Sequence, residues 1–403
     1  MVAAPSCLAR PQDHPPVTLA DIVRAHGAEL GPVSPQQARA LSAIAECRTS
    51  ALGGHRWACE ACGFQHDSFN SCRNRHCPQC QGLEQSRWVE RRQEDLLPVE
   101  YFHVVFTLPS ELRDVFLINK TVAYGLLLST AAETLIELAK VPRYLGAHIG
   151  VMAVLHTWTQ TLTYHPHVHC IVPGGGPSPD GSTWVFARRK FFLHVRALSV
   201  LMRGKLLAAL ERALLEGRMI PTSSRYPLRD LRRAARKKWN VNCEPSFVGP
   251  EDVIRYLGRY TRRIAISNGR LVSLEKGQVT FKYLDRASDQ WRTMTVPAEQ
   301  FLRRFLLHVL PHRFARIRYY GGLAHPIRKK WLAASRALLT ASGATMPARP
   351  AHNESETWQE ELLRLTGIDV TRCPQCKVGR MFVIELLRPQ RSHLLPPARA
   401  APT

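Results

Sequence analysis

Three histidines stand close together in one short segment, His165-Pro166-His167-Val168-His169-Cys170. Successive side chains of an extended strand point to opposite faces, so His167 and His169 would share one face of such a strand. Two imidazoles at this spacing can bind one metal ion, although histidine pairs of this kind are more often only hydrogen-bonded. The segment is therefore a candidate metal site that needs a further ligand from a neighbouring strand.

The chain before the histidines supplies a candidate for that ligand. Residues 151–162 and 167–172 predict two antiparallel strands, joined by a short turn that contains Pro166. This register would place Gln160 opposite His167, and facing residues of an antiparallel pair share a side of the sheet. Two imidazoles and one amide oxygen would leave positions open on a Mg²⁺ or Mn²⁺ ion for a phosphodiester oxygen.

Two other histidines are alternative third ligands. His103 lies on a predicted strand at 101–108, and His165 begins the histidine motif itself. The choice between these residues and Gln160 depends on the register of the strands, which the spacing of the motif leaves open.

Two tyrosines share one side of a predicted helix at 250–261. Tyr256 and Tyr260 are four residues apart, which places them about 6 Å apart along a helix axis. Val253 and Leu257 lie beside them on the helical wheel, so one interpretation is a pair of core aromatics. Next to a metal that polarises a phosphate, however, a phenol is a suitable nucleophile, and the product would be a phosphotyrosine ester.

The chain is strongly basic, with 55 Lys and Arg against 32 Asp and Glu and a net charge of +23. Such an imbalance indicates a polyanionic partner, although a solvated basic helix face would look the same. Four arginines crowd the tyrosine helix and its end and are candidates for DNA contact: Arg255, Arg259, Arg262 and Arg263. A second basic ridge occupies a predicted helix at 228–239 that ends at Trp239, a composition suited to single-stranded nucleic acid: Arg232, Arg233, Arg236 and Lys237.

Most of the eleven cysteines fall into C-x-x-C pairs, the spacing typical of zinc ligands. Two pairs separated by fourteen residues predict one tetrahedral zinc site: Cys59, Cys62, Cys77 and Cys80. Four interleaved residues are candidates for a second zinc site: Cys47, His55, Cys72 and His76. Cys373 and Cys376 form half a site, interpreted as free thiols, with His393 as a distant alternative partner.

The order of predicted elements is mixed α+β, with hairpins more evident than β-α-β units. The apolar stretch at 122–139 is broken by Ser, Thr and Glu, so no membrane span is expected, and the first 25 residues do not resemble a signal peptide. A cytoplasmic protein is expected. The composition predicts a helical lead-in, a zinc-binding domain, a catalytic domain, and a linker with a C-terminal tail, at residues 1–46, 47–98, 99–337 and 338–403.

Three motifs in this order resemble the rolling-circle transposases of the insertion sequence 91 family, within the HUH nuclease superfamily. They are the cysteine cluster ending in SCRNRHCPQC, then HPHVHC, then YLGRY, and the likeness extends over residues 47–330. The resemblance implies an HUH-type nuclease core with a central antiparallel sheet flanked by helices, after a small zinc-binding domain.

For the site, the resemblance implies that His167 and His169 hold the divalent metal and that Tyr256 and Tyr260 are paired nucleophiles. One tyrosine would cleave a single DNA strand at the end of the element and stay on the 5′ phosphate, and the other would complete transfer to target DNA. A nucleoid-associated transposase is therefore expected. The alternatives are a plasmid replication initiator or relaxase with the same chemistry, which the zinc cluster disfavours, and a non-catalytic zinc-dependent DNA-binding regulator.

Overall fold

The computed structural model describes residues 17–80, 82–246, 264–345 and 356–390. Within them the α-helices are α1 (Leu19–His26), α2 (Pro35–Glu46), α3 (Gly82–Gln93), α4 (Arg113–Ile118), α5 (Lys120–Lys140), α6 (Val195–Leu215), α7 (Arg229–Ala235), α8 (Ala298–Leu307), α9 (Arg328–Ala341) and α10 (Trp358–Thr366). The strands are β1 (Gly54–Cys59), β2 (Gln65–Phe69), β3 (Tyr101–Thr107), β4 (Gly150–Trp158), β5 (Tyr164–Pro173), β6 (Gly175–Pro177), β7 (Trp184–Phe186), β8 (Asn240–Ser246), β9 (Leu271–Glu275), β10 (Gln278–Asp285), β11 (Gln290–Pro297), β12 (Ile317–Gly321) and β13 (Met381–Leu387).

The centre of the fold is a five-stranded antiparallel sheet in the order β12-β4-β5-β3-β8. Successive side chains along each strand point to opposite faces of this sheet, and the two faces have different surroundings. On one face Phe102, Val104 and Phe106 of β3 are almost completely buried. Helices α5 and α6 pack on each other and against this sheet, so that face is one side of the main core.

The opposite face of the central sheet is covered over only part of its area. Leu332 and Leu339 of α9 and Trp88 of α3 form a second core with Met152 and Ile171 of the sheet. Further along the same strands, no described helix covers this face in the same way. The face there is the floor of a cleft. The register of β3, β4 and β5 places the histidine motif in this open part.

A smaller antiparallel sheet, in the order β11-β10-β9, packs against α8. Phe281 of β10 lies 5.6 Å from Phe301 of α8, centre to centre. The first helix, α1, begins at a capping box formed by Thr18 and Asp21 and packs on α8. Helix α1, from the described part of the predicted helical lead-in, therefore belongs to the core around this second sheet.

A third antiparallel sheet, in the order β13-β1-β2, joins distant parts of the chain. Strand β13 comes from the predicted C-terminal tail, yet it pairs with β1 from Gly54 opposite Leu387 to Cys59 opposite Met381. The short pair β6-β7 completes the sheets of the described residues.

The α+β class with antiparallel sheets is confirmed. The basic helix is shorter than the predicted 228–239, because α7 ends at Ala235. Trp239 is buried, and its indole N–H donates to the backbone oxygen of Ala234, so its ring is not a stacking surface for bases.

Helix α5 is, among the described residues, the helix whose length and hydropathy would allow it to cross a membrane. In the structure, 61% of its most apolar window is buried inside the protein. Leu127, Leu128 and Leu135 have no exposed surface because they pack in the main core. Its composition is therefore that of a core helix.

Candidate functional site

Three histidines converge on the open face of the central sheet. The candidate ligand nitrogens of His156, His167 and His169 all lie within 4.8 Å of one another. His156 stands on β4 directly opposite His167 on β5, and the ring centre of His156 is 4.2 Å from that of His169. Strand β5 is the central strand of the sheet, so its neighbours on both sides hold these side chains in place.

The structure corrects the predicted register, in which Gln160 stood opposite His167. The turn of the hairpin comprises residues 159–163, and Pro166 lies inside β5. A proline lacks the N–H that a strand ladder needs, and here the register shifts between His156 and Trp158, at the point where Pro166 would pair. The partner of His167 is thus four residues earlier than expected, which is an even shift that keeps the same face.

Gln160 lies in the turn and lines the same cleft as the three histidines. Its backbone oxygen accepts a hydrogen bond from Arg270. The turn itself is held by buried His308, whose Nε2 lies 3.1 Å from the backbone oxygen of Leu162. Because the turn is anchored in this way, its position relative to His167 is set by the surrounding core.

His103 supports the cluster from the neighbouring strand β3. Its Nε2 lies 2.7 Å from Nδ1 of His169, which fixes the orientation of that imidazole. His167 is oriented similarly, because its Nδ1 lies 2.7 Å from the backbone oxygen of His165 and donates a hydrogen bond there. Nε2 of His167 then carries the lone pair that binding to a metal requires. The side chain of His165 lines the cleft outside the ligand group.

Burial favours the neutral form of His103, His167 and His169. Burial lowers the pKa of His103 and of His167 to about 4, and it lowers the pKa of His169 well below the ordinary value. The positive charge of Arg286 lowers all three pKa values further. A neutral imidazole is the form that binds a metal, so little binding energy is spent on removing protons.

A cleft of about 990 Å³ lies above the cluster. Its walls combine polar and apolar residues and include Asn240, Asn242 and Glu244 from β8. Arg286, which is exposed, reaches the cleft from the turn between β10 and β11 of the second sheet. The donor set of three converging imidazole nitrogens fits a divalent cation, and nitrogen ligands suit Mn²⁺ better than Mg²⁺, which prefers oxygen.

The cysteines are grouped differently from the prediction. The four residues expected to form one zinc site are divided between two clusters, one of Cys47, Cys72, Cys77 and Cys80 and one of Cys59, Cys62, Cys373 and Cys376. The reason is the third sheet, in which β1 carries Cys59 toward β13 and away from Cys77. In the first cluster Sγ of Cys72 lies 3.6 Å from Sγ of Cys80.

The two histidines proposed for a second zinc site lie in neither cluster. His76 is buried, its Nε2 accepts a hydrogen bond from the backbone N–H of Leu310, and burial lowers its pKa to about 3. It therefore ties the cysteine-rich segment to the core near α8. His55 is part of β1, opposite Ser68 of β2. Cys47 and Cys72 of the same proposed set do belong to the first cluster.

The predicted tyrosine helix lies outside the described residues, and so do six of the predicted site residues: Tyr256, Tyr260, Arg255, Arg259, Arg262 and Arg263. The second basic ridge is described, and all four of its members are exposed: Arg232, Arg233, Arg236 and Lys237. Lys237 lies 3.3 Å from a carboxylate oxygen of Glu111. The other three present their charge to solvent on and just after α7.

The residue that sequence reasoning missed is His156. It stands in the segment Leu155-His156-Thr157-Trp158, eleven residues before His167. A turn centred on Thr161, where Thr159, Thr161 and Thr163 alternate, pairs Trp158 with Tyr164. The shift in register between His156 and Trp158 then places His156 opposite His167.

Two family models match this chain: residues 150–330 match a family described as "Putative transposase", and residues 20–108 match a transposase zinc-binding domain. The chain is 46% identical over 381 residues to "Putative transposase y4qJ" of Sinorhizobium fredii, a match that covers 91% of this chain and 95% of the relative. It is 29% identical over 320 residues to the transposase for insertion sequence element IS801 of Pseudomonas savastanoi pv. phaseolicola, covering 76% of this chain and 75% of that protein. No solved structure matches.

An α+β core that follows a cysteine-rich module is the arrangement that the two family models match, and both models describe transposases. The chain belongs to the insertion sequence 91 family of transposases. As a transposase it acts on DNA. The matched zinc-binding range, 20–108, contains the whole first cysteine cluster, which supports structural Zn²⁺ in this domain.

Proposed function

We propose that this transposase cleaves and rejoins single-stranded DNA through a 5′-phosphotyrosine intermediate in the cleft above the histidine cluster. The observation that carries the proposal is the convergence of three imidazoles, two of them oriented by hydrogen bonds, at the floor of an open polar cleft. Family membership favours a transposase over a replication initiator or relaxase with the same chemistry.

In this proposal His156, His167 and His169 hold one divalent ion, Mn²⁺ or Mg²⁺. When bound, such an ion would neutralise negative charge on the oxygens of the reacting phosphate. The hydrogen bond between His103 and His169, and the one that His167 donates to the backbone oxygen of His165, keep the ligand nitrogens in place before DNA arrives. The first cysteine cluster holds zinc and has a structural role.

The nucleophile is the phenol of Tyr256 or Tyr260, an assignment that rests on the sequence and on the family. The phenol oxygen attacks the phosphorus and loses its proton to solvent. The bond from phosphorus to the 3′ oxygen breaks, and that oxygen takes up a proton to become a 3′ hydroxyl. Rejoining is the reverse step, in which a 3′ hydroxyl attacks the phosphotyrosine and releases the phenol, so no further co-reactant is needed.

The cleft also provides groups that can position the strand. Arg286 is a candidate to bind a phosphate beside the reacting one, because its guanidinium is exposed and close enough to the histidines to influence their pKa values. Asn240 and Asn242 can donate to bases or phosphates from the other wall. The exposed arginines of α7 would extend this basic track.

The proposal is tested by incubating the protein with end-labelled single-stranded DNA from the terminus of an element and Mn²⁺, then separating covalent adducts under denaturing conditions. We expect an adduct that the Tyr256→Phe, Tyr260→Phe double variant does not form, with the labelled peptide identified by mass spectrometry. Tyr226→Phe, at an exposed tyrosine outside the cleft, is the matched control. A wild-type protein that forms no adduct, or a double variant that forms it undiminished, would refute the proposed chemistry.

A further inference from the structure

Two C-x-x-C pairs from opposite ends of the described chain face each other at the end of the third sheet. Cys59 is the last residue of β1 and Cys62 follows it, and Cys373 and Cys376 precede β13. The first pair falls within the matched zinc-binding range, 20–108, whereas the second pair lies outside both matched ranges. Since β1 and β13 are hydrogen-bonded neighbours, the two pairs are brought together by the sheet itself.

The distances between the sulfur atoms fit a tetrahedral zinc ion. All four Sγ atoms lie within 4.8 Å of one another. Sγ of Cys59 is 3.8 Å from Sγ of Cys376, and Sγ of Cys62 is 3.7 Å from Sγ of Cys373. Four thiolates at the usual zinc–sulfur distance of about 2.3 Å occupy a tetrahedron with an edge of about 3.8 Å.

The two pairs have the same local backbone geometry. The N–H of Gly63 donates to the backbone oxygen of Cys59 over 3.1 Å, and the N–H of Lys377 donates to that of Cys373 over 3.1 Å. Both donors have positive φ, 70° at Gly63 and 62° at Lys377. Two turns of matching shape, each presenting two thiolates, are the usual construction of a four-cysteine zinc site.

The module around the four cysteines has almost no apolar core. Its buried hydrophobic residues are Cys59, Cys373 and Met381, and two of these three are candidate ligands. The turns also approach each other very closely, because a Cβ added to Gly379 would lie 2.5 Å from Sγ of Cys59. A unit with so little apolar surface to bury needs a metal or disulfides to be stable.

We infer that Cys59, Cys62, Cys373 and Cys376 bind a second structural zinc ion, which fastens the C-terminal segment at 356–390 to the N-terminal zinc-binding domain. Other contacts follow the same path. Arg56 of β1 lies 2.8 Å from carboxylate oxygens of both Asp67 on β2 and Glu385 on β13. Helix α10 lies along α3, where Glu361 accepts hydrogen bonds from Arg87.

The test is the zinc content of the full-length protein, measured by mass spectrometry of the metal after gel filtration. The Cys373→Ser, Cys376→Ser double variant is expected to contain one equivalent of zinc less than wild type. The first cysteine cluster and the histidine cluster are identical in both proteins, so the difference is specific to the second site. Cys243→Ser, at a half-buried cysteine outside both clusters, is the matched control and is expected to keep the wild-type content.

A second measurement separates loss of the site from general misfolding. Cys62→His is expected to keep the full zinc content, because Cys₃His is an accepted zinc ligand set and Cys62 is exposed. Cys62→Ala is expected to lose one equivalent. Wild-type zinc content in the Cys373→Ser, Cys376→Ser variant would overturn the inference, as would equal zinc loss in Cys62→His and Cys62→Ala.

Discussion

The assignment of His156 as a metal ligand can be tested by removing its nitrogens while keeping its shape. The ring of His156 stacks on Trp158 at 4.7 Å between ring centres, and the side chain is 3% exposed. His156→Phe retains an aromatic ring of similar size against Trp158 and removes one of three donors. Gln160→Ala tests the residue that the sequence favoured and is the matched comparison.

The expected size of the effect follows from the number of ligands. Changing a group that only orients a ligand costs about 10- to 100-fold in metal affinity. Loss of one of three donors therefore raises the dissociation constant of Mn²⁺ by at least about 100-fold, equivalent to about 2.7 kcal/mol. Gln160 lies in the turn between β4 and β5 and not opposite His167, so Gln160→Ala is expected to change the constant by less than about threefold.

Free Mn²⁺ in a titration can be measured by electron paramagnetic resonance, with the cysteine clusters filled with zinc beforehand. Thermal unfolding of each variant without Mn²⁺ shows whether the fold is retained. Unchanged affinity in a folded His156→Phe variant would refute the assignment. So would a loss in Gln160→Ala as large as that in His156→Phe.

Three further predictions concern the surroundings of the cluster. His103→Ala removes the partner 2.7 Å from Nδ1 of His169 and should weaken Mn²⁺ binding about 10- to 100-fold in the same titration, whereas unchanged binding would show that His103 does not orient the ligand. Burial lowers the pKa of His308 to about 3, so below pH 6.5 the unfolded chain takes up a proton that the folded state does not. The free energy of unfolding should therefore fall as the pH falls from about 6.5 to 3. Measured by urea titration, its slope against pH should be about 1.4 kcal/mol per pH unit smaller in His308→Gln than in wild type, and equal slopes would contradict this account. Arg286→Gln should weaken binding of single-stranded DNA and reduce the slope of log affinity against log salt by about 0.7, measured by fluorescence anisotropy, and an unaltered slope would exclude a phosphate contact.

The histidine site could be predicted in part because strand alternation is a local property. Residues two apart on a strand share a face wherever the strand lies in the fold, so His167 and His169 could be paired from the sequence. The identity of the third residue depends on the position of the turn. Pro166 favoured a turn at the wrong place, and the structure accommodates it within β5 by a shift in register.

The cysteines illustrate the opposite case, in which spacing along the chain was misleading. Cys59 and Cys62 are nearer in sequence to Cys77 than to Cys373, and local spacing therefore favoured one site within residues 59–80. In the structure, the pairing of β1 with β13 instead brings Cys59 and Cys62 together with Cys373 and Cys376. Contacts between strands so far apart leave no periodic signal, because each pair alone looks like half of a site. Exposure of the basic residues on and just after α7 agrees with their spacing in the sequence, but the burial of Trp239 could not be predicted from its place at the end of that segment.

The pairing of β1 with β13 has a consequence for the order of events during synthesis. Cys59 and its neighbour Cys376 are 317 positions apart in the chain. At about 5–20 residues per second, β1 leaves the ribosome roughly 15–65 s before its partner strand is made. Strand β1 must wait with one edge uncovered, and a chain that stops before Cys373 can never cover it. The complete third sheet can therefore form only in a chain that has been synthesised through β13.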